Sequence, residues 1–134
     1  MFNYRKMPIV FINCKSAPFI DMIMNRSKVY ETRSSNTLRS LIGERVLLCE
    51  TGKGASMVRC CAVIHKAFTI DTKLAWDMFR NYTCVPDGSR YDWQPDTKIK
   101  WLYELIDVRP VPAPFHPKAG KMHGRVWMEY NGAE

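Results

Sequence analysis

The chain has 134 residues, a formal charge of +7 and 46% hydrophobic residues, so we expect residues 1–134 to form one domain around a single core. The positive charge favours a polyanionic partner such as RNA, DNA or an anionic membrane surface, with a solvated basic surface as the alternative. No apolar run approaches the ~18 residues of a membrane span, which excludes a membrane-embedded chain and predicts a soluble protein without a membrane partner.

Hydrophobic periodicity and turn residues predict an α+β order of elements. The elements expected in the first half are a strand at 8–15, a helix capped by Ser16 with Pro18 in its first turn and ending near 25–27, an extended segment at 28–33, a polar loop at 34–40 and a short helical turn at 38–43. Those expected in the second half are a hairpin of strands at 45–50 and 56–68, a helix at 73–81 capped by Asp71 or Thr72, a long loop at 83–97, a strand at 99–108, a proline-stiffened connection at 110–117 and a final strand at 124–130.

The segment Lys28-Val29-Tyr30-Glu31-Thr32-Arg33 places two cations and a carboxylate in one predicted strand. Because alternate residues share a strand face, Glu31 and Arg33 point the same way. They either form an ion pair or exchange hydrogen bonds with a base edge. Lys28 either holds a phosphate, acts as a base with a depressed pKa, or is a solvated side chain at a strand edge.

The loop at 83–97 is too long for an ordinary connection, and it carries two aromatic residues that are candidates for a binding site. Tyr91 and Trp93 either stack on unpaired bases or fold back as a hydrophobic plug. Trp76 and Trp101 lie in regular elements and are expected in the core.

Basic residues recur near the C-terminus, where phosphate contact and a solvated face are the two alternatives. These residues are Arg109, Lys118, Lys121 and Arg125. His116 and His123 flank the two lysines and would serve proton transfer in a nuclease.

The chain has five cysteines and three histidines, and their spacing gives no metal-binding motif. Cys60 and Cys61 are adjacent, so in a strand they would point to opposite faces. We expect reduced thiols in a cytoplasmic protein, no metal and no cofactor.

The order of motifs resembles the ASCH family of the PUA-like superfamily. Lys28-x-x-Glu31-x-Arg33, a polar loop and Leu41-Ile42-Gly43-Glu44-Arg45-Val46-Leu47-Leu48 carry the first part of the resemblance. The end of the chain, from Leu105-Ile106-Asp107-Val108-Arg109 to Gly124-Arg125-Val126-Trp127, carries the second. The resemblance implies a small mixed β-barrel with flanking short helices and a cleft for RNA or a modified nucleoside.

Some members of the family are nucleases or amidohydrolases, and those that deacetylate acetylcytidine use a lysine, a threonine three residues later and a distant glutamate. Lys28 matches the lysine, but Glu31 stands at the threonine position and Thr32 would face the other way. The helix at 73–81 holds Asp77 and no glutamate. If the protein is an enzyme, Lys28 and Glu31 are therefore the catalytic candidates.

The leading hypothesis is an RNA- or modified-nucleoside-binding domain with the loop at 83–97 as a lid. Its expected ligand contacts are Lys28, Glu31, Arg33, Tyr91, Trp93, Lys118 and Lys121. The alternatives are an enzyme on the same fold, either a ribonuclease or an acetylcytidine-type amidohydrolase, and a protein-binding regulatory module.

Overall fold

A computed structural model describes Tyr4 and residues 7–118, 120–124 and 126–129, which form seven strands in one sheet and two α-helices. The elements are β1 (Ile9–Asn13), α1 (Phe19–Met24), β2 (Tyr30–Arg33), a 3-10 turn (Arg39–Leu41), β3 (Arg45–Thr51), β4 (Met57–Ile70), α2 (Lys73–Thr83), β5 (Lys100–Phe115), β6 (Met122–His123) and β7 (Trp127–Met128). The predicted α+β order is confirmed. Of the described helices, none is long and apolar enough to cross a membrane.

The sheet is open, so the expectation of a closed β-barrel is wrong. Its strand order is β2-β5-β4-β3-β1-β7-β6, with β1 parallel to β3 and the other pairs antiparallel. The two edge strands are short, with four residues in β2 and two in β6, and no pairing joins them within the described residues. A single side chain spans part of the opening, because Arg33 Nη2 donates a hydrogen bond of 2.9 Å to the carbonyl of Phe11 in β1.

The proline-rich segment is part of β5, which corrects the prediction of a strand ending at Val108. β5 runs to Phe115 and pairs with β4 through register shifts that bend both strands. Pro110, Pro112 and Pro114 fall where the pairing of β5 with β4 is irregular, since Cys60 is opposite Pro110 but Val58 is opposite Phe115. Prolines are tolerated at such irregularities and at unpaired strand edges, and in the described residues β2 pairs with β5 only at residues 101–104.

The C-terminal prediction of one strand at 124–130 is also corrected. β6 and β7 form a hairpin of two-residue strands, and Gly124 adopts φ +64 in the turn between them. β7 pairs with β1 at Ile9 and Val10. Residues 125 and 130 of the predicted strand lie outside the described residues.

Of the two helix starts, one matches its prediction. Thr72 caps α2, since its hydroxyl accepts a 3.1 Å hydrogen bond from the Ala75 N–H. Ser16 does not cap α1; the N-cap position is Pro18, and no side chain bonds to the first turn. α1 begins at Phe19, two residues later than a cap at Ser16 would place it.

The β3–β4 hairpin requires a glycine where it meets β1. Gly52 has φ +84, and a Cβ there would lie 2.6 Å from Asn13 Oδ1 and 3.0 Å from Lys15 N. Both the backbone conformation and the close approach exclude a larger residue. The hairpin end therefore packs directly against the C-terminal end of β1.

Buried residues form three apolar clusters, and the largest lies between α1 and the sheet. Cys60 belongs to this cluster and Cys61 to the second, so the adjacent thiols do point to opposite faces. All five cysteines are free. Burial, with a smaller contribution from Cys61, raises the pKa of Cys60 to about 12, which keeps its thiol protonated at neutral pH.

The third cluster joins α2 to the loop at 83–97. Trp76 is fully buried, and Tyr91 and Trp93 pack against its cluster as partly buried side chains. Asp92 fastens the loop, since its carboxylate accepts hydrogen bonds from Trp76 Nε1 at 2.6 Å, Gly88 N at 2.9 Å and Trp93 N at 2.8 Å. Both loop aromatics thus pack partly against this cluster, and Tyr91 also lines the cleft described below.

We predict that Asp92→Asn destabilises the protein at neutral pH and not near pH 2. Burial opposes ionisation of Asp92, but its three hydrogen bonds outweigh burial and lower its pKa to about 2. A depressed pKa stabilises the fold above the unfolded-state pKa near 4, and that stabilisation is lost as pH falls through the folded pKa. At pH 7 the substitution replaces a carboxylate oxygen by an NH₂ group, so one buried donor loses its acceptor. This lowers the free energy of unfolding by about 1–3 kcal/mol.

The measurement is urea unfolding of both proteins between pH 7 and pH 2. The matched control is Asp96→Asn, an exposed carboxylate in the same loop, which should leave the stability unchanged. A destabilisation by Asp92→Asn that is constant across this pH range would contradict the assignment of the loop anchor.

Candidate functional site

A cleft of about 530 Å³ lies where the sheet opens between β1 and β2. α1 and the loop after α2 complete its walls. The lining residues are Phe11, Ile12, Asn13, Phe19, Lys28, Glu31, Thr32, Arg33, Ser34, Thr51, Val85, Arg90, Tyr91 and Lys100.

Lys28 is the most deeply buried charged side chain of the cleft, at 1% exposure. Its Nζ donates to the Thr83 carbonyl at 2.6 Å and to the Tyr30 carbonyl at 2.9 Å, and lies 3.5 Å from Glu31 Oε1. It also lies 4.8 Å from the centre of the Phe19 ring. The alternative of a solvated lysine at a strand edge is therefore wrong, because the end of α2 covers it.

The pKa of Lys28 is lowered from its ordinary value. Burial is the main cause, since removing the ammonium from water penalises its charged form. Glu31 opposes this shift by attracting the ammonium, and the positive charge of Arg33 adds to the lowering. Lys28 is thus more readily deprotonated than a surface lysine.

Glu31 and Arg33 lie on one face of β2, as the strand period predicts, and form an ion pair of 2.9 Å between Oε2 and Nη2. Glu31 is 9% exposed and contacts a cation on each side. Arg33 Nε is buried and has no hydrogen-bond partner among the described residues. One carboxylate thus serves two cations, and the guanidinium keeps a donor that the protein does not satisfy.

The loop side of the cleft carries two cations arranged around Tyr91. Arg90 lies over the Tyr91 ring, with Cζ 4.9 Å from its centre. Lys100 Nζ donates to the Tyr91 carbonyl at 2.7 Å and lies 4.9 Å from the centre of a Trp76 ring. Burial lowers the pKa of Lys100, and the nearby charge of Asp92 partly offsets that lowering.

Sequence reasoning missed Arg90 and Lys100. Arg90 directly precedes Tyr91 in the long loop, so its position beside a candidate stacking residue was the available signal. No signal pointed to Lys100, because it is the first residue of an ordinary strand and its two sequence neighbours are apolar.

The other predicted contacts lie away from the cleft wall. Trp93, Lys118 and Lys121 are not among the lining residues, although Lys28, Glu31, Arg33 and Tyr91 are. Lys121 Nζ lies 3.9 Å from Glu129 Oε2. The four predicted residues that the structure brings together are those of the charged strand and the first loop aromatic.

The histidines proposed for proton transfer have local partners outside the cleft. His116 Nδ1 lies 2.6 Å from the Ser56 carbonyl. His123 stacks on Trp127 with ring centres 3.9 Å apart, and its Nε2 lies 2.8 Å from Glu129 Oε2. Arg125 of the predicted basic group lies outside the described residues.

Among the residues that the structure describes, Glu31 is the single carboxylate in the lining of the cleft, and no distant glutamate lines it. Hydroxyl groups are present nearby in Thr32, Ser34 and Thr51, none of which stands three residues after Lys28. Over the described part of the chain, no group of three or more His, Cys, Asp and Glu side chains is arranged to hold a metal ion.

The fold is that of ASCH domains, which confirms the resemblance at the level of the fold. A point-mutant structure of the ASCH protein from Zymomonas mobilis has a TM-score of 0.66 and 19% sequence identity, and the match covers 86% of this chain and 77% of that chain. A second mutant of that protein has a TM-score of 0.66 and 19% sequence identity, and the match covers 84% of this chain and 76% of that chain. A further ASCH structure from the same organism has a TM-score of 0.59 and 17% sequence identity, and the match covers 79% of this chain and 71% of that chain.

No protein-family model matches the chain, and no curated protein matches it either. The similarity to solved ASCH structures therefore describes the fold, and the function must be argued from the cleft.

We predict that Glu31→Gln lowers the pKa of Lys28 further. The Glu31 charge favours the Lys28 ammonium, so its removal leaves burial and the Arg33 charge acting together. The pKa is measured by NMR from the pH dependence of the Lys28 Cε resonance in lysine-labelled protein.

The control is Glu44→Gln, an exposed carboxylate outside the cleft lining, which should leave the Lys28 resonance and its titration unchanged. An unchanged or raised pKa in Glu31→Gln would show that the two side chains do not interact as described.

Proposed function

We propose that this protein binds RNA or a modified nucleoside in the cleft between β1 and β2. The observation that carries the proposal is the set of Lys28, Glu31 and Arg33, three charged side chains held together at the buried side of a cavity of about 530 Å³. A volume of this order is typical of small-molecule sites.

The chemistry of the charged set suits the edge of an unpaired base. Glu31 offers carboxylate oxygens as acceptors, while Arg33 offers a planar array of donors. Sequence-specific recognition of RNA usually reads the hydrogen-bonding edges of unpaired bases. The ion pair holds both groups in place before a ligand arrives, which reduces the entropy lost on binding.

Two further features support a nucleic-acid ligand. Tyr91 lines the cleft and presents an aromatic ring on which a base can stack. The formal charge of +7 on the whole chain attracts a polyanion over a long range. Neither feature selects between an RNA strand and a single modified nucleoside.

We predict that the protein binds short single-stranded RNA and that Arg33→Ala weakens this binding about tenfold or more, the effect of one charge-assisted contact. Fluorescence anisotropy at two salt concentrations measures the affinity, which should fall as salt rises. Duplex RNA and DNA of the same sequence should bind less tightly.

The matched control is Arg39→Ala, which removes an exposed arginine outside the cleft lining and tests for a non-specific charge effect. Equal losses in both variants would place the binding surface elsewhere. The absence of binding to RNA strands and to modified nucleosides at micromolar protein would reject the proposal.

A second candidate function is hydrolysis of an acylated base such as acetylcytidine, on the same site. The lowered pKa of Lys28 favours it, although the charge of Glu31, 3.5 Å away, opposes loss of the ammonium proton. A neutral Lys28 would accept a proton from the water whose oxygen attacks the acyl carbon. The C–N bond would then break as Lys28 returns that proton to the leaving nitrogen, and the free amine and the carboxylic acid would leave as products.

We predict for this second candidate that acetylcytidine incubated with the protein yields cytidine and acetate, detected by mass spectrometry. Lys28→Met keeps most of the length of the buried side chain, removes its amine and should abolish the product. Because the substitution also removes the hydrogen bonds of Nζ, the control for folding is a circular-dichroism spectrum like that of the wild type at the assay temperature. Acetylcytidine that remains intact under conditions where it binds would reject hydrolysis and leave binding as the function.

A further inference from the structure

We infer that the ligand of this cleft carries a phosphate group: a nucleoside monophosphate, either free or as one unit of single-stranded RNA. The inference rests on the proposed function and names the class of ligand for the same site. The observation behind it is the position of Arg90 and Lys100 in the cleft lining, two residues that were not among the ligand contacts predicted from the sequence.

The described lining of the cleft has more positive than negative side chains, and a neutral nucleoside cannot balance this excess. Among the described residues, four cationic side chains and one carboxylate line the cleft. Glu31 already lies against both Lys28 and Arg33. The two cations of the loop side, Arg90 and Lys100, therefore have no carboxylate in the cleft lining, and an anionic ligand group would balance them.

Asp92 is the nearest acidic candidate to compensate Lys100, but its oxygens are already used. It accepts from Trp76, Gly88 and Trp93, and it does not line the cleft. Lys100 Nζ makes one hydrogen bond, to the Tyr91 carbonyl, and an ammonium has three donors. The amine thus retains donors for a phosphate oxygen.

Tyr91 places both cations on the loop side of the cleft. Its ring lies beneath Arg90 and its carbonyl holds Lys100. With its base at the Lys28–Glu31–Arg33 side, a nucleotide would place its sugar and phosphate near the loop at 83–97. Arginine suits this role because its planar donors match two phosphate oxygens at once.

Burial decreases from the Lys28 side of the cleft to the loop side. Lys28 is 1% exposed and Glu31 is 9% exposed, whereas Arg90 is an exposed residue of the loop. A neutral, planar base suits the dehydrated end, and a negatively charged phosphate suits the solvated end. The arrangement favours a ligand with both parts over a bare anion.

The test is isothermal titration at constant ionic strength with the four standard ribonucleosides and acetylcytidine, each compared with its own 5′- and 3′-monophosphates. Inorganic phosphate and a single-stranded RNA hexanucleotide complete the set of probes. The proteins are the wild type, Arg90→Gln, Lys100→Gln and the matched control Arg39→Gln, each checked for folding by its melting temperature.

We expect at least one monophosphate to bind about tenfold or more tightly than its nucleoside. Arg90→Gln should remove most of that difference and Arg39→Gln none of it. A hexanucleotide that binds more tightly than every monophosphate identifies an RNA strand as the source of the phosphate. Equal affinity for the hexanucleotide and a monophosphate identifies the free nucleotide.

Nucleosides that bind as tightly as their monophosphates would overturn this inference and leave the proposed function standing. Inorganic phosphate that binds as tightly as the monophosphates would also overturn it, because the base would then add nothing. The absence of binding by every nucleoside, nucleotide and RNA probe would overturn the inference and the proposed function together.

Discussion

The candidate site depends on the hydrogen bond from Lys28 Nζ to the Thr83 carbonyl, which is 2.6 Å long. The two residues that it joins are 55 positions apart in the sequence. It places an ammonium at the C-terminal end of α2, where the helix dipole favours a positive charge. Val29 N–H also bonds to the Tyr82 carbonyl at 2.7 Å, so the entry into β2 is fixed to the same helix end. Without Lys28, the buried Thr83 carbonyl would lose this donor.

The same contact couples the charged strand to the loop that faces it. Thr83 is fully buried, and its hydroxyl donates to the Arg80 carbonyl and accepts from the Val85 N–H. The chain then turns through Cys84, with φ 56, into the loop that carries Tyr91. Both walls of the cleft are therefore positioned by the end of one helix, which limits how far either wall can move alone.

The local parts of this fold could be predicted from the sequence, and the non-local parts could not. The cap at Thr72, the glycine-containing hairpin and the shared face of Glu31 and Arg33 depend on residues a few positions apart. The burial of Lys28 depends on Thr83, and the open sheet depends on how far the short edge strands reach. The continuation of β5 through Pro110, Pro112 and Pro114 could not be predicted either, because the irregular pairing with β4 that accommodates these prolines depends on residues distant in sequence.

The residue at position 31 decides what chemistry the cleft can perform. A threonine there would offer one hydroxyl to a reacting acyl group and would leave Lys28 and Arg33 without a counter-charge. Glu31 instead compensates both cations, and its attraction for the ammonium opposes the deprotonation that a catalytic base requires. Glu31 thus favours a stable, polar recognition surface over a reactive amine, and for this reason we propose binding ahead of hydrolysis.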